Sequence, residues 1–245
     1  MDVVIQLPAY DEADVIRQTM RAIDDQDVPD GHTVTTEAWI TRNENKFGLC
    51  DTMVAAEQVD GWDLFEAPQG KLSARNVAHN HAVEQGYDVF FSWDADAPPV
   101  GDGVLSSMIE AFEQEPTPVC VDSIPVSRPG NGLFGLVVDV AAGIEDVAAP
   151  HIHGQCHALT AEAWEALGPF DESIDQTDLP AVRAEEELGF YREVASLGPV
   201  VRPPDAQVYN DPRRVKCNVP LMDDPHCEGR TATFSPLNDG GGGCG

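Results

Sequence analysis

Apolar runs of strand length alternate with amphipathic runs of helix length along most of the chain. Asp2 to Pro8 predicts a first strand ended by Pro8, followed by the polar turn Ala9-Tyr10-Asp11-Glu12. Ile16, Met20 and Ile23 recur at helical spacing, with Asp14 placed to cap that helix. Val34 to Thr41 alternates and is β-rich, a second strand with Arg42-Asn43-Glu44-Asn45 at its carboxyl end. Asp51 to Gln58 predicts a helix and Leu64-Phe65 a short strand. After Gly70, residues Ala74, Ala78 and Ala82 share one helical face, and Gly86 stands where the helix should close. Val89 to Phe91 predicts a buried strand, with Pro98-Pro99 barring its continuation. Val104, Leu105, Met108, Ile109 and Phe112 form another amphipathic helix before Pro116, and Val119 to Ile124 reads as a strand. Thr160 caps a short helix through Trp164 and Leu167, ended by Gly168; a longer helix runs from Asp178 to Leu197, and Val200-Val201 is a late strand. Strands alternating with helices at this rhythm predict an α/β fold, a mostly parallel sheet with helices on both faces.

Composition adds two constraints. The 245 residues are 42% hydrophobic, enough for a core, yet 43 acidic residues face 14 basic ones, a net charge of −29. Lysine occurs only at positions 46, 71 and 216, and the acids are spread along the chain. Scattered acid with little lysine fits a protein kept soluble in high salt, in a halophile's cytoplasm, where screening removes self-repulsion. Such a surface repels phosphate backbones, so nucleic acid is excluded as a partner. No run approaches the roughly 18 uninterrupted apolar residues of a membrane span; Leu133 to Ala149 is broken by Asp139, Glu145 and Asp146, which leaves an interfacial helix open. The six cysteines have no C-x-x-C spacing and are expected as free thiols. Cys217, His226, Cys227 and Cys244 match no common zinc pattern. From Lys216 onward Pro, Asp, Cys and Gly accumulate, so residues 1–215 are read as one domain and 216–245 as a poorly ordered tail.

The chemistry concentrates after the strand at Val89. In extended chain Asp94 and Asp96 point to one side, at the strand end where open α/β sheets bind ligands, and a hard divalent cation would offset their repulsion. The alternative is a solvated acidic turn. Lys71 and Arg75 lie four apart on one helix face, as contacts to an anionic ligand or to the acidic site, or as a solvated pair; Arg213 and Arg214 read similarly, as a closing basic loop or a surface turn. His151, His153 and His157 cluster before the Thr160 helix, as a third metal ligand, a ligand contact or structural histidines. Trp93 and Trp164 read as core or as aromatic stacking platforms. Along the last long helix, Val182, Glu186, Phe190, Val194 and Leu197 form a stripe apolar except at Glu186, while Glu185 and Glu187 lie off it. A carboxylate there is either put to use or sits in an exposed first turn.

With these pieces in order, residues 1 to about 215 resemble the family 2 glycosyltransferases of the Rossmann-like GT-A fold. Val3 to Glu12 (VVIQLPAYDE) is similar to the family's opening strand and Pro-x-Tyr-Asn-Glu turn, with Asp11 where Asn is usual. Gly70 to Asn76 is similar to its Gly-x-x-x-Ala-Arg-Asn segment, and Asp94-Ala95-Asp96 to its metal-binding Asp-x-Asp. Gly168-Pro169-Phe170-Asp171-Glu172 resembles the close of its acceptor-side stretch, Glu185-Glu186 its catalytic Glu-Asp pair, and Asn210 to Arg214 a late Arg-containing loop. The second strand departs from the family by ending in Arg42-Asn43-Glu44-Asn45 instead of an Asp-rich turn that reads the base.

The resemblance implies an inverting transfer of a sugar from a nucleotide-diphosphate sugar to an acceptor hydroxyl on a glycan, lipid-linked or protein-linked acceptor, assisted by Mn²⁺ or Mg²⁺. It implies Asp96 as metal ligand, Asp94 at the ribose or a metal-bound water, and Tyr10 and Glu12 at the nucleoside. Lys71, Arg75, Arg213 and Arg214 would meet the donor, and Glu186, with Glu185 beside it, would be the general base. A cytoplasmic enzyme, at most peripherally bound to the membrane, is expected. Two other readings compete. A sugar-phosphate nucleotidyltransferase would open with a Gly-rich, basic phosphate loop that Pro8 to Glu12 lacks; a non-catalytic nucleotide or metal binder would keep the fold without the chemistry.

Overall fold

The computed structural model describes residues 1–10, 12–13, 15–41, 51–127, 152, 154–173 and 180–210, with the backbone alone over 180–188. Among these residues the strands are β1 (Asp2–Ala9), β2 (Thr33–Ile40), β3 (Asp63–Glu66), β4 (Val89–Trp93), β5 (Cys120–Asp122), β6 (Ile124–Ser127), β7 (Cys156–Thr160), β8 (Val200–Val201) and β9 (Gln207–Asn210). The helices are α1 (Ile16–Asp24), α2 (Thr52–Ala56), α3 (Lys71–Gln85), α4 (Val104–Ala111), α5 (Ala161–Leu167) and α6 (Pro180–Leu197).

One sheet has the order β3-β2-β1-β4-β7-β5-β8, and β6 pairs with β9 in a second, small sheet. The large sheet is parallel except for β7, which runs antiparallel to both β4 and β5. The two-residue period of the strands divides the core between the faces. Val3, Ile5, Leu7, Val89, Phe91 and Trp93 pack with α1, α2 and α4 on one face. Val4, Phe90, Cys120 and Leu159 pack with α3, α5 and α6 on the other. The helices sit where apolar spacing put them: Ile16, Met20 and Ile23 are buried on α1, and Ala74, Ala78 and Ala82 on α3. Gly86 closes α3 at φ 82, a left-handed conformation that glycine adopts without steric cost. Thr160 caps α5 by accepting from the Ala163 N–H at 3.2 Å.

Several local expectations are corrected. Pro8 does not end β1, which runs on to Ala9; β4 pairs with β1 only as far as Gln6, so Pro8 lies beyond that ladder. The N-cap residue of α1 is Val15, with no side-chain cap, and Asp14 lies outside the described residues. Val119 to Ile124 is not one strand: the chain leaves the large sheet after Asp122, turns at buried Ser123 and joins β9 from Ile124. β7 and β9 have no counterpart in the sequence reading. On α6, Phe190 and Val194 are buried as the stripe requires, but Leu197 is exposed and Tyr191 takes the third buried place. The runs at 42–50, 128–150 and 211–245, with the cysteine-bearing tail and its zinc candidates, lie outside the described residues.

Candidate active site at the carboxyl end of strand β4

β4 ends at Trp93, so Asp94 and Asp96 are carried by a turn and not by extended chain. That turn is neither loose nor solvated. The Ala97 N–H donates to Asp94 O at 3.0 Å, and the Asp94 N–H donates to Gln155 O at 2.7 Å. The Trp93 indole N–H donates to Ala97 O at 2.6 Å, and the Thr19 hydroxyl donates to Ala95 O at 2.6 Å. Ala95 and Ala97 are buried, while Asp94 and Asp96 are half-buried. The exit is fastened as well, since the Tyr209 N–H donates to Pro98 O at 2.9 Å. The turn thus holds two carboxylates at the carboxyl edge of the sheet on a backbone bonded from α1, β7 and β9.

α3 supplies the cations. Arg75 is fully buried, and its Nη2 donates both to Asp94 Oδ1 at 3.0 Å and to Gly154 O at 2.9 Å. Lys71, one turn earlier and largely exposed, places Nζ 3.6 Å from Asp94 Oδ2. Of the sequence readings for Arg75, the fold makes the contact to the acidic site, and full burial excludes a solvated side chain. Its neighbour Asn76 reaches the 168–172 stretch: Nδ2 donates to Phe170 O at 3.0 Å and to Glu172 Oε1 at 2.9 Å, and Oδ1 accepts from the Phe170 N–H at 2.9 Å.

The other candidates are distributed as follows. Tyr10 is exposed just past β1, and Glu12 is buried, its backbone N–H donating to Thr52 Oγ1 at 2.9 Å. Trp93 and Trp164 are core residues. His157 is fully buried in β7, with Tyr191 Oη 3.4 Å from its Nδ1, beneath the sheet surface and away from solvent. Asp171 is exposed, and its hydrogen bonds from Ser173 hold its carboxyl below the ordinary range. Glu185 and Glu186 belong to α6, with their side chains outside the described residues; His151, His153, Arg213 and Arg214 lie outside them too.

The sequence reading missed a polar belt beneath this site. Glu37, Gln6, Ser92, His157 and Asp122 are consecutive partners across β2, β1, β4, β7 and β5, all buried. Gln6 Nε2 donates to Glu37 Oε2 at 3.0 Å, and Arg202 donates from Nε and Nη2 to Asp122 Oδ2 at 3.0 and 2.6 Å. The signal available was a polar residue within each apolar run; only strand register reveals that they form one line.

Two carboxylates are too few oxygens for a divalent ion by themselves, and among the described residues no group of three or more His, Cys, Asp or Glu side chains is arranged to hold a metal ion. That donor set fits a Mg²⁺-like ion that brings phosphate oxygens with it.

No protein-family model and no curated protein matches this chain. Solved structures do. A mannosyltransferase from Pyrobaculum calidifontis, in complex with GDP-Man and Mn²⁺, aligns at 24% identity and TM-score 0.59 over 85% of this chain and 56% of its own. S. aureus TarS 1-349 in complex with UDP aligns at 13% identity and TM-score 0.62, over 97% and 74%. The same protein in complex with UDP-GlcNAc aligns at 14% identity and TM-score 0.56, over 86% and 58%. This chain therefore spans a little over half the length of the mannosyltransferase. At these identities the likeness establishes the fold, a mostly parallel α/β sheet with helices on both faces, as these glycosyltransferases have it. No helix among the described residues is long and apolar enough to cross a membrane.

Proposed function

We propose that residues 1–215 form a GT-A glycosyltransferase domain of the family 2 type, which moves a sugar from a nucleotide-diphosphate sugar to a hydroxyl of a glycan, lipid-linked or protein-linked acceptor. The observation that carries the reading is the bonded Asp94-Ala95-Asp96 turn at the carboxyl end of β4, with Lys71 beside it. Ligands of open α/β sheets bind at that edge, and its two signs of charge suit a diphosphate and its cation. The fold shared with two glycosyltransferases supports it further.

In this reading Tyr10 offers its ring to the base and Glu12 its carboxylate to the ribose or base, at the end of β1. Lys71, with Arg213 and Arg214, meets the diphosphate, and Asp96 holds Mn²⁺ or Mg²⁺ while Asp94 faces the ribose or a metal-bound water. When bound, the ion offsets the charge that develops on the leaving diphosphate. Glu186, with Glu185 as the neighbouring candidate, takes the proton of the acceptor hydroxyl as its oxygen attacks the anomeric carbon from the face opposite the diphosphate, which inverts that centre. The acidic composition supports a halophile's cytoplasm as the setting, with the enzyme soluble or peripheral at the inner face of the membrane. A thermal-shift screen of nucleotide sugars with Mn²⁺ or Mg²⁺ in high KCl tests the reading. A donor that binds should raise the melting temperature, and no shift with any nucleotide sugar would overturn it.

A further inference from the structure

Asp94 is unusual for one of a pair of acids expected to attract a divalent ion, because both of its oxygens already face cations. Oδ1 accepts from the fully buried Arg75 at 3.0 Å, and Oδ2 lies 3.6 Å from Lys71 Nζ. The guanidinium is held in place by a second acceptor, the Gly154 carbonyl, at 2.9 Å. Asp96, two residues on, lies on the same bonded turn.

We infer that Arg75 is a positioning residue that sets the charge of this site, so that the Asp94–Asp96 pair does not capture a free divalent cation and accepts one only together with a diphosphate. The inference rests on the proposed donor site and deepens it. Two positive charges beside Asp94 cancel the attraction that it would add to that of Asp96. A bare ion then meets two carboxylates whose charge is offset by two neighbouring cations. A metal–diphosphate complex reverses the balance: its phosphate oxygens supply the missing ligands, and its negative charge is drawn to Lys71. Because Arg75 is buried, its interaction with Asp94 is screened little by salt. Arg75 also joins the two sides of the site, since the guanidinium that fixes Asp94 is bonded to the chain just before β7, and Asp94 is bonded through its own N–H to Gln155. Losing it therefore changes the charge at the turn and loosens the turn's link to β7.

The sign separates this role from a merely structural one. Removing a buried ion-pair partner for structural reasons alone should weaken every ligand. Removing a neutralising cation should strengthen the binding of the bare metal. The experiment is calorimetric titration of the full chain with MnCl₂ alone, and separately with a nucleoside diphosphate plus Mn²⁺, on wild type, Arg75→Met, Arg75→Lys and Lys71→Met. Circular dichroism reports whether each is folded. We expect Mn²⁺ alone to bind Arg75→Met at least about tenfold tighter than wild type, Arg75→Lys close to wild type, and Lys71→Met tighter than wild type by a smaller factor. If Arg75→Met does not fold, the exposed Lys71→Met decides alone. Bare-metal affinity that is unchanged or weaker in the folded variants overturns the inference, even if the diphosphate still binds with Mn²⁺. Failure of wild type to bind any nucleoside diphosphate with Mn²⁺ would instead overturn the donor-site reading, and the bare-metal comparison would still decide the role of Arg75.

Discussion

Gln6 Oε1 and His79 Nδ1 lie 3.0 Å apart between β1 and α3, and neither side chain is exposed. Gln6 is also a hub, since its Nε2 donates to Glu37 and to the Ala78 carbonyl. His79 completes its packing with aromatic faces, stacked on Phe90 at 4.5 Å and edge-on to Trp164 at 4.8 Å. The contact ties the helix that carries Lys71 and Arg75 to β1. A buried polar contact costs stability if either partner is lost, and it also fixes one register of helix on sheet.

Stability should depend on pH through this histidine. Burial holds the His79 imidazole well below its ordinary range, and nearby His157 and Arg75 push the same way. Above pH of about 6.5 the folded and unfolded chains are both neutral there and nothing changes. As pH falls below that value, the unfolded chain binds a proton that the folded chain refuses, so stability drops by up to about 1.4 kcal/mol per pH unit. His79→Gln lacks the group, and its unfolding free energy, measured in urea between pH 8 and 5.5, should fall less steeply than that of wild type. Parallel profiles would remove His79 as the cause.

The Asp122–Arg202 pair should be the most sensitive ion pair of the belt. Asp122 is fully buried, and Arg202 reaches one oxygen with two nitrogens. Arg202→Met leaves a carboxylate in the core and should cost about 3–5 kcal/mol. Arg202→Lys should cost less. Equilibrium denaturation measures both.

Metal dependence should follow Asp96. It lies half-buried on a turn, outside the apolar clusters, so Asp96→Ala should leave the melting curve nearly unchanged and abolish turnover. Transfer at the wild-type rate by this variant in EDTA would contradict the metal reading.

Glu186→Gln keeps size and hydrogen bonding but removes a base. Donor binding should survive while kcat falls by roughly 10²–10⁴-fold, and Glu185→Gln should be milder. The reverse pattern would move the base to Glu185. Retained activity in both would put the base elsewhere. Asp171 is the next candidate in the sequence, but Ser173 holds its carboxyl low, which weakens it as a base at neutral pH.

Dilution of KCl should destabilise the protein. With a net charge of −29, self-repulsion extends further as the Debye length grows from about 3 Å at 1 M to about 10 Å at 0.1 M. A melting temperature flat across that range would remove the halophile assignment.

Sequence by itself determined the alternation of strands and helices, the buried faces of α1 and α3, the closing glycine at Gly86 and the buried strand β4 that leads to the acidic pair. Each is set within about ten residues by a period of two or 3.6, a cap or a proline, so local spacing suffices. It did not determine β7, whose Cys156–Thr160 run is short, carries a histidine and is buried on both faces, so it shows neither alternation nor a clear apolar block. Nor did it determine where Val119 to Ile124 divides, because the break follows from Asp122 pairing with Arg202, 80 residues later, while Ile124 joins β9. At the site, Asp94, Asp96, Lys71 and Arg75 were legible as a set of charges, but spacing along α3 could not say that Arg75 would be buried on Asp94 while Lys71 stayed exposed. Tertiary structure decided that, because the packing of α3 on β1, β2 and β4 sets which of two residues on one helix face meets the sheet and which meets water. The polar belt was decided there as well: its five members lie on five separate strands, and only hydrogen-bond register between strands brings them to one level.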